Sequence, residues 1–222
     1  MKKKTARDME LGPEFIENIT VKTLKLWIGK VSGIKNLPKD RGFIIAPNHC
    51  SYIEHFLIGS LVVPYIKKKI YILAKKEHFG DFTQRRWHSF WSKYIGQIPI
   101  DRSKGEDALM QAADCLKKGK VLIIYPEGTR SLNGKLQKGK TGIARLVLDA
   151  KVPVLPVGSK GTFEILPKGK YIPRLKRATI NIGKLMYFDK YHNRKITKTL
   201  LREITDDIMK EIARLSDQKY KY

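Results

Sequence analysis

Cysteine is scarce in this sequence, with Cys50 and Cys115 the two present among 222 residues. Two cysteines cannot supply the disulfide framework that stabilises many small secreted domains, so we expect a reducing, cytosol-facing location. The N-terminal stretch MKKKTARDME is basic but has no apolar core behind it. A secretory signal peptide needs such a core, and we therefore do not expect one.

Long apolar runs are missing as well. A membrane-spanning helix needs about 20 consecutive, mostly apolar residues. The segment LIGSLVVPYI, residues 57–66, is about half that length and contains a proline. If the protein contacts a membrane, we expect it to lie on the cytoplasmic face as a peripheral or monotopic protein.

Acidic residues are few relative to basic ones. The chain has 45 Lys and Arg against 21 Asp and Glu, which gives a formal net charge of +24. A positive potential of this kind attracts anions such as nucleic acid, acidic lipid headgroups or phosphorylated small molecules. A lysine-rich composition without functional meaning explains much of the excess equally well, and charge alone does not choose between these interpretations.

Short apolar runs alternate with helical periodicity along most of the chain. The pattern predicts an α/β fold with a mixed, partly parallel sheet flanked by helices. The predicted strands are GFIIAP, IYILA, IGQIPI, VLIIYP, VPVLPVG and ATINIGKLMYF. The predicted helices cover IEHFLIGSLVV, SKGEDALMQAADCLKKG, TGIARLVLDA and the tail between residues 201 and 215.

Two further segments carry apolar residues at helical spacing. Residues 14–31 are predicted to form a helix that is apolar nearly all round, and that is either buried or pressed into a lipid interface. We therefore divide the chain into an N-terminal membrane-associating helical segment, residues 1–35, and an α/β domain, residues 36–222. The stripe from Trp87 to Tyr94 favours a core helix over a membrane-interface role.

The stretch NHCSYIEHF, residues 48–56, places His49 five residues before Glu54. In one regular helix the two side chains would point about 140° apart and could not meet. They meet if His49 lies in the loop after GFIIAP and the helix begins near Ser51. The same spacing has a purely structural explanation, because Ser51 and Glu54 form a capping-box pattern in which the glutamate bonds to the Ser51 amide.

Arginines follow two other predicted strands. Arg102 stands in GQIPIDRS, and Glu127, Gly128 and Arg130 stand in YPEGTRS. A lone arginine is usually a solvated surface charge. A guanidinium next to a glycine at the carboxyl end of a strand is nevertheless well suited to hold a phosphate group.

Other patterns point elsewhere. GKLQKGKT, residues 134–141, satisfies the phosphate-loop pattern, but VLIIYP ends well before it, whereas a phosphate loop leaves its strand directly. Cys50 beside His49 has no orienting motif that would make it a nucleophile. A basic module that binds membrane or nucleic acid without catalysis stays open on charge alone, although no nucleic-acid-binding signature is visible.

Four blocks in this order resemble the glycerophosphate acyltransferase superfamily, most closely the bacterial-type 1-acyl-glycerol-3-phosphate acyltransferases. The family's NH-x4-D block corresponds to Asn48–Glu54, where this chain has the longer glutamate. The G-x5-R block resembles Gly96–Arg102, E-G-T-R-S is matched at Glu127–Ser131, and the last block resembles Val152–Val157. The AKKEHF segment also resembles the family and implicates Lys75. The resemblance covers roughly residues 40 to 165.

The resemblance implies an O-acyltransferase that needs neither metal nor cofactor. His49 would act as general base, steered by Glu54, on the free hydroxyl of lysophosphatidate. Acyl-CoA or acyl carrier protein would deliver the acyl group, and phosphatidate would be the product. Another lysophospholipid or glycerol 3-phosphate is the alternative acceptor. An anionic membrane surface is the expected further partner, and nucleic acid is not. The implied residues that bind the phosphate and glycerol are Arg102, Glu127, Gly128, Thr129 and Arg130, with Lys75 or Gly128 at the oxyanion.

Overall fold

The computed structural model describes residues 22–75, 95–100 and 105–222. Within these ranges the chain forms a seven-stranded mixed sheet with helices on both faces. The strands are β1 (Ile28–Ser32), β2 (Phe43–Pro47), β3 (Ile70–Lys75), β4 (Ile95–Ile100), β5 (Val121–Ile123), β6 (Val154–Lys160) and β7 (Ala178–Ile182). The α-helices are α1 (Glu54–Ile66), α2 (Gly105–Lys117), α3 (Gly142–Ala150), α4 (Thr162–Ile165) and α5 (Lys198–Ser216). Short 3-10 helices cover Lys25–Trp27, Ile34–Asn36 and Asp189–Tyr191.

The strand order across the sheet is β1-β7-β6-β2-β5-β3-β4. Neighbouring strands run parallel except β6 and β7, which are antiparallel. All five residues of β2 are buried, as expected for a parallel strand that is covered on both faces. The carboxyl ends of β2, β5 and β3 therefore open on one edge of the sheet, where the loops that carry the motifs begin.

The strand residues alternate between two apolar cores. Ile44 belongs to the core covered by α2, α3 and α5, whereas Phe43 and Ile45 belong to the core covered by α1. This follows from the period of two along a strand, which sends successive side chains to opposite faces. Leu57, Ile58 and Val62 are the apolar α1 residues most deeply buried in the second core.

The predicted α/β class and the mixed sheet are confirmed. Each predicted strand has a counterpart, although VLIIYP is regular strand over 121–123 alone and ATINIGKLMYF ends as strand at Ile182. The four predicted helices in the described ranges are also present. The short helix α4, which follows β6 directly, was not predicted.

The prediction of a helix over residues 14–31 is wrong at its C-terminal end. Residues 28–32 form β1, which pairs with β7 in parallel, for example Val31 with Ile180. Apolar periodicity favoured a helix, but Gly29 and the β-branched Val31 disfavour one, and the unpaired side of β7 provides a partner for an extended segment. The sheet thus begins before residue 35.

Residues 14–21 of that predicted helix and the stripe from Trp87 to Tyr94 lie outside the described residues. The membrane-associating role of residues 1–35 stays a prediction. In the ranges that the structure describes, none of the helices combines the length and the apolar character needed to cross a bilayer.

Candidate active site

The loops after β2 and β5 are bonded to each other at the carboxyl edge of the sheet. The amide of His49 donates to Glu127 Oε1 at 2.7 Å, and the amide of Ser131 donates to the His49 carbonyl at 2.7 Å. On the other side, the buried side chain of Asn48 bonds to β6. Its Nδ2 donates to the Ser159 carbonyl at 2.9 Å, and its Oδ1 accepts from the backbone N–H of Ser159 at 2.7 Å. The backbone around His49 is therefore fixed from both neighbouring strands.

His49 and Glu54 are in contact. The His49 Nδ1 lies 3.1 Å from Glu54 Oε2, with His49 in the loop and Glu54 as the first residue of α1. The His49 side chain is 17% exposed, whereas that of Glu54 is completely buried. The arrangement gives solvent and substrate access to the imidazole while shielding the acid that orients it.

Other groups besides His49 bond to the Glu54 carboxyl group and to Ser51, the serine of the capping pattern. The Cys50 amide donates to both oxygens of Glu54, at 2.9 and 3.1 Å, and the Thr162 hydroxyl on α4 donates to Oε1 at 2.7 Å. The Ser51 hydroxyl accepts from the Ile53 amide and donates to a carbonyl. The helix begins at Glu54 with Ile53 as its N-cap, and Ser51 does not cap it as the capping-box pattern predicts. Glu54 instead accepts from the loop amide of Cys50 while it contacts the imidazole.

The imidazole also packs against an aromatic ring. The His49 and Tyr125 rings stack with centroids 3.7 Å apart and planes inclined by 22°. Tyr125 follows β5 and its hydroxyl is buried, so the ring cannot swing away easily. Stacking on one face and the Glu54 contact at Nδ1 together define the orientation of the imidazole.

Burial sets the protonation of both carboxyl groups in the site. Desolvation raises the pKa of Glu54 from 4.5 to about 8, against the opposing hydrogen bonds from Thr162 and the loop amides. Desolvation likewise raises the pKa of Glu127 to about 7, against hydrogen bonds from the His49 amide and Gln137. Both acids therefore change their protonation near neutral pH.

Cys50 does not have the character of a nucleophile. Its thiol is buried, and desolvation followed by the charge of Glu54 raises its pKa to about 12. The thiolate that nucleophilic catalysis requires is therefore essentially absent at neutral pH.

A lysine that was not among the predicted site residues lies over Gly128. Gly128 has a φ of +70°, and a Cβ placed on it would lie 3.0–3.1 Å from Cδ, Cε and Nζ of Lys140. The missing side chain therefore makes room for the lysine. The Lys140 amide bonds to the Pro126 carbonyl at 2.8 Å, which holds the lysine against the loop after β5.

Arg130 stands on the same loop. Its guanidinium carbon lies 5.7 Å from the centre of the Tyr52 ring, and its charge acts to lower the pKa of Glu54. Arg130 and Lys140 thus bring two cations to the loop that bonds to His49. Thr129, between Gly128 and Arg130, is exposed and uses its carbonyl to accept from Gln137.

The amide of Gly128 is already bonded, and the predicted role of this segment at an oxyanion stays a prediction. It donates to the Tyr125 carbonyl at 3.0 Å and so closes the turn after β5. Lys75 is the last residue of β3, at the same edge of the sheet. Arg102 lies outside the described residues.

The segment GKLQKGKT has no phosphate-loop geometry. β5 ends at Ile123 and residues 124–133 intervene before Gly134. The segment instead folds back over the loop after β5, where Gln137 donates to Glu127 Oε2 at 2.9 Å. Lys140 is the lysine of the phosphate-loop pattern. It does lie near the site, but beside Gly128 and not in a phosphate loop. Nothing local in the sequence marks Thr162, which lies 108 residues from Glu54.

Comparison with known proteins places the chain in a family. A family model described as Acyltransferase matches residues 29–160, which is more than half of the chain. The protein thus belongs to the Acyltransferase family, and it is an O-acyltransferase by class. The matched range contains every site residue discussed above except Thr162.

Particular relatives agree with this assignment. The chain is 34% identical over 146 residues to a 1-acyl-sn-glycerol-3-phosphate acyltransferase from Bacillus subtilis (strain 168), covering 64% of this chain and 68% of that protein. It is 31% identical over 150 residues to the Pseudomonas aeruginosa protein of the same name, covering 65% of this chain and 51% of that protein. The crystal structure of a 1-acyl-sn-glycerophosphate acyltransferase, PlsC, from Thermotoga maritima superimposes with a TM-score of 0.70 at 26% identity, covering 94% of this chain and 81% of that one.

Proposed function

We propose that the protein transfers a fatty acyl group from an acyl thioester to the free hydroxyl of 1-acyl-glycerol 3-phosphate, giving phosphatidate for phospholipid synthesis. The observation that carries the proposal is the contact of 3.1 Å between His49 Nδ1 and the fully buried Glu54. The names of the relatives support lysophosphatidate as the acceptor. The donor is acyl-CoA or acyl carrier protein.

The His49–Glu54 pair supplies the base. With Glu54 ionised and accepting from Nδ1–H, the lone pair of the imidazole is at Nε2, which takes the proton of the acceptor hydroxyl. The hydroxyl oxygen attacks the thioester carbonyl, and the tetrahedral intermediate collapses as the C–S bond breaks. The proton on Nε2 then passes to the leaving sulfur, so the enzyme returns to its starting state. General base catalysis of this kind contributes about 10²–10⁴ in rate.

The cations on the neighbouring loops bind the phosphate of the acceptor. Arg130 offers a planar fork of donors that suits a phosphate, and Lys140 adds a point charge beside Gly128. Arg102 stays a predicted third cation. In the described part of the chain neither Arg130 nor Lys140 forms an ion pair with a carboxylate, which leaves both charges for an anionic substrate.

Glu127 organises the loops in this proposal. Its two oxygens accept from the His49 amide and from Gln137, and a carboxylate would repel a phosphate. It therefore holds the backbone of the base in place, while Gly128 and Thr129 shape the loop on which Arg130 stands. This role differs from the binding of phosphate or glycerol that the family resemblance implies for Glu127.

The proposal is tested by supplying a labelled acyl group as acyl-CoA or, in parallel, on acyl carrier protein. The acceptors are a panel of lysophospholipids and glycerol 3-phosphate in vesicles. We expect phosphatidate from 1-acyl-glycerol 3-phosphate. His49→Ala should lower the rate by about 10²–10⁴ without unfolding the protein, which circular dichroism checks. His192→Ala, which removes a partly exposed histidine outside the site, is the matched control and should keep full activity. Undiminished transfer by His49→Ala would refute the mechanism, and another acylated product would redefine the acceptor.

A further inference from the structure

The loop between α4 and β7 exposes three large apolar side chains close together. Tyr171 is 92% exposed, Ile172 is 83% exposed and Leu175 is 84% exposed. Single exposed apolar residues are common on soluble proteins, but three large ones within five positions of one loop concentrate apolar surface, and such surface often marks an interaction site. We refer to residues 167–177 as the 167–177 loop.

Cations surround this patch. The loop contains no acidic residue, and its basic residues, all exposed, are Lys168, Lys170, Arg174, Lys176 and Arg177. Among the residues that the structure describes, none of these five forms an ion pair with a carboxylate. The loop thus combines an exposed apolar tip with exposed positive charge, and a complementary partner must offer both apolar contact and negative charge.

The base of the 167–177 loop is bonded to the catalytic loop. The Ser51 hydroxyl donates to the Leu166 carbonyl at 2.6 Å, and Thr162, four residues before Leu166, donates to Glu54. The Arg174 amide returns to the Ile165 carbonyl at 2.9 Å and closes the loop at its base. The patch therefore extends from the same edge of the molecule as the His49–Glu54 pair.

The described beginning of the chain joins the same region. The Trp27 indole donates to the Arg174 carbonyl at 3.0 Å, and its neighbour Leu26 is 55% exposed. The 167–177 loop is thus supported from two sides, by Trp27 and by the turn at Ile165. A loop that is held at its base can press its tip into a surface without losing its position relative to the site.

We propose that the 167–177 loop docks the protein on an anionic phospholipid bilayer, with Tyr171, Ile172 and Leu175 entering the interface. Tyrosine favours the headgroup level, aliphatic side chains favour the acyl boundary, and lysine and arginine attract acidic headgroups. The proposal deepens the proposed function and rests on it for its purpose, because an acceptor held in the bilayer would meet His49 at the edge of the sheet that faces the lipid.

Binding to vesicles of phosphatidylglycerol and phosphatidylcholine, measured by sedimentation, tests the apolar part. The triple variant Tyr171→Ser, Ile172→Ser and Leu175→Ser should bind about 100-fold more weakly. The matched control is the triple variant Met110→Ser, Tyr187→Ser and Tyr222→Ser, which removes three exposed apolar or aromatic side chains elsewhere and should bind normally. Equal loss in both triple variants, or no loss in the first, would overturn the proposal.

A second comparison isolates the charge. Lys168→Gln, Lys170→Gln and Lys176→Gln together should weaken binding to phosphatidylglycerol vesicles by about 5-fold per cation, with little change on neutral vesicles. The matched control replaces three exposed lysines elsewhere with Gln, in α2, its C-terminal turn and α5: Lys117, Lys118 and Lys210. It should have a clearly smaller effect. An equal effect of both sets would mean that net charge alone binds the membrane and would overturn the assignment to the loop.

A dye at the tip distinguishes insertion from contact. Cys50 is buried, so Ile172→Cys in a Cys115→Ser background can be labelled selectively with an environment-sensitive dye. Its emission should shift to the blue on anionic vesicles, whereas the same dye on Met110→Cys should not respond. A shift caused by acyl carrier protein instead of vesicles would assign the loop to an acidic protein and overturn the lipid proposal.

Activity on a short-chain acceptor below its aggregation concentration separates the two proposals. The apolar triple variant should keep its turnover on that soluble acceptor while losing turnover on vesicles. Loss on both would contradict a docking role. Absence of acyl transfer by the unmodified protein, with vesicle binding intact, would instead count against the proposed function alone.

Discussion

The variant Glu54→Gln is expected to inactivate the enzyme and to stabilise its fold at alkaline pH. Glutamine keeps the volume of the side chain, and its Oε1 can still accept from the Cys50 amide and from Thr162. Its Nε2 can donate to His49 Nδ1, which forces the imidazole proton onto Nε2. An imidazole protonated there cannot act as the base, and the stabilising effect follows from the titration of Glu54.

The magnitude follows from linkage between proton binding and folding. The pKa of Glu54 is about 8 in the folded protein and 4.5 for the free side chain. Between these values the folded state holds a proton that the unfolded state has released, so this group's contribution is fully present below pH 4.5 and is lost as pH rises through 8. The loss at Glu54 is on the order of 5 kcal/mol, and the uncharged amide of the Glu54→Gln variant would not suffer it.

Urea unfolding at several pH values between 4.5 and 9, for the native protein and Glu54→Gln, measures the effect. Glu127 titrates in both proteins, so the difference between the two curves reports Glu54 together with the smaller effect of its charge on the pKa of Glu127. That difference should favour the variant increasingly as pH rises. Glu164→Gln, at an exposed position on α4, is the matched control and should leave the native curve unchanged. A difference that favours the native protein as pH rises would show a carboxylate stabilised by a charged His49 and would refute the burial argument.

Three further predictions concern activity. Because the base requires ionised Glu54, kcat/KM should increase with pH up to about 8, the pKa of that acid in the folded protein. Initial-rate assays across this pH range check the prediction. Thr162→Val removes a donor from that carboxylate, so it should lower kcat about 10-fold and shift the acid limb to higher pH, whereas an unshifted limb would indicate a purely structural role. Lys140→Met should raise KM for the phosphate-bearing acceptor about 10–100-fold with a smaller change in kcat, while the neighbouring exposed Lys138→Met should not, and equal effects would remove Lys140 from the site.

The central part of the fold could be predicted from the sequence because its signals are local. The run FIIAP is buried on both faces and has no alternative partner for its apolar side chains, so its pattern specifies a central strand. β1 was missed because its pattern is weak and its conformation depends on β7, about 150 residues later in the chain. Long-range pairing of that kind leaves little trace in the residues that it orders.

The candidate site divides in the same way. The His49–Glu54 contact was predictable, since loop and helix start are adjacent in the sequence and the spacing excludes contact in a regular helix. The Thr162 donor was not predictable, because β6 and β2 must first be paired before α4 reaches the acid. Lys140 lies between these cases. Its glycine-rich segment indicated phosphate binding, but only the folded structure shows that the lysine lies against the loop after β5.

The two buried acids of the site differ in their partners more than in their burial. Glu127 accepts from the His49 amide and from Gln137, and none of these donors can exchange a proton with a substrate at neutral pH. Glu54 accepts from an amide and a hydroxyl as well, but its remaining contact is an imidazole nitrogen, and histidine is the side chain that most often transfers protons in catalysis. A proton can therefore move between substrate and ring only beside Glu54. Similar desolvation thus accompanies two roles: Glu127 is a structural acid, and Glu54 is a positioning acid. The role of Glu54 depends on Glu127, because Glu127 holds the backbone of the histidine that Glu54 orients.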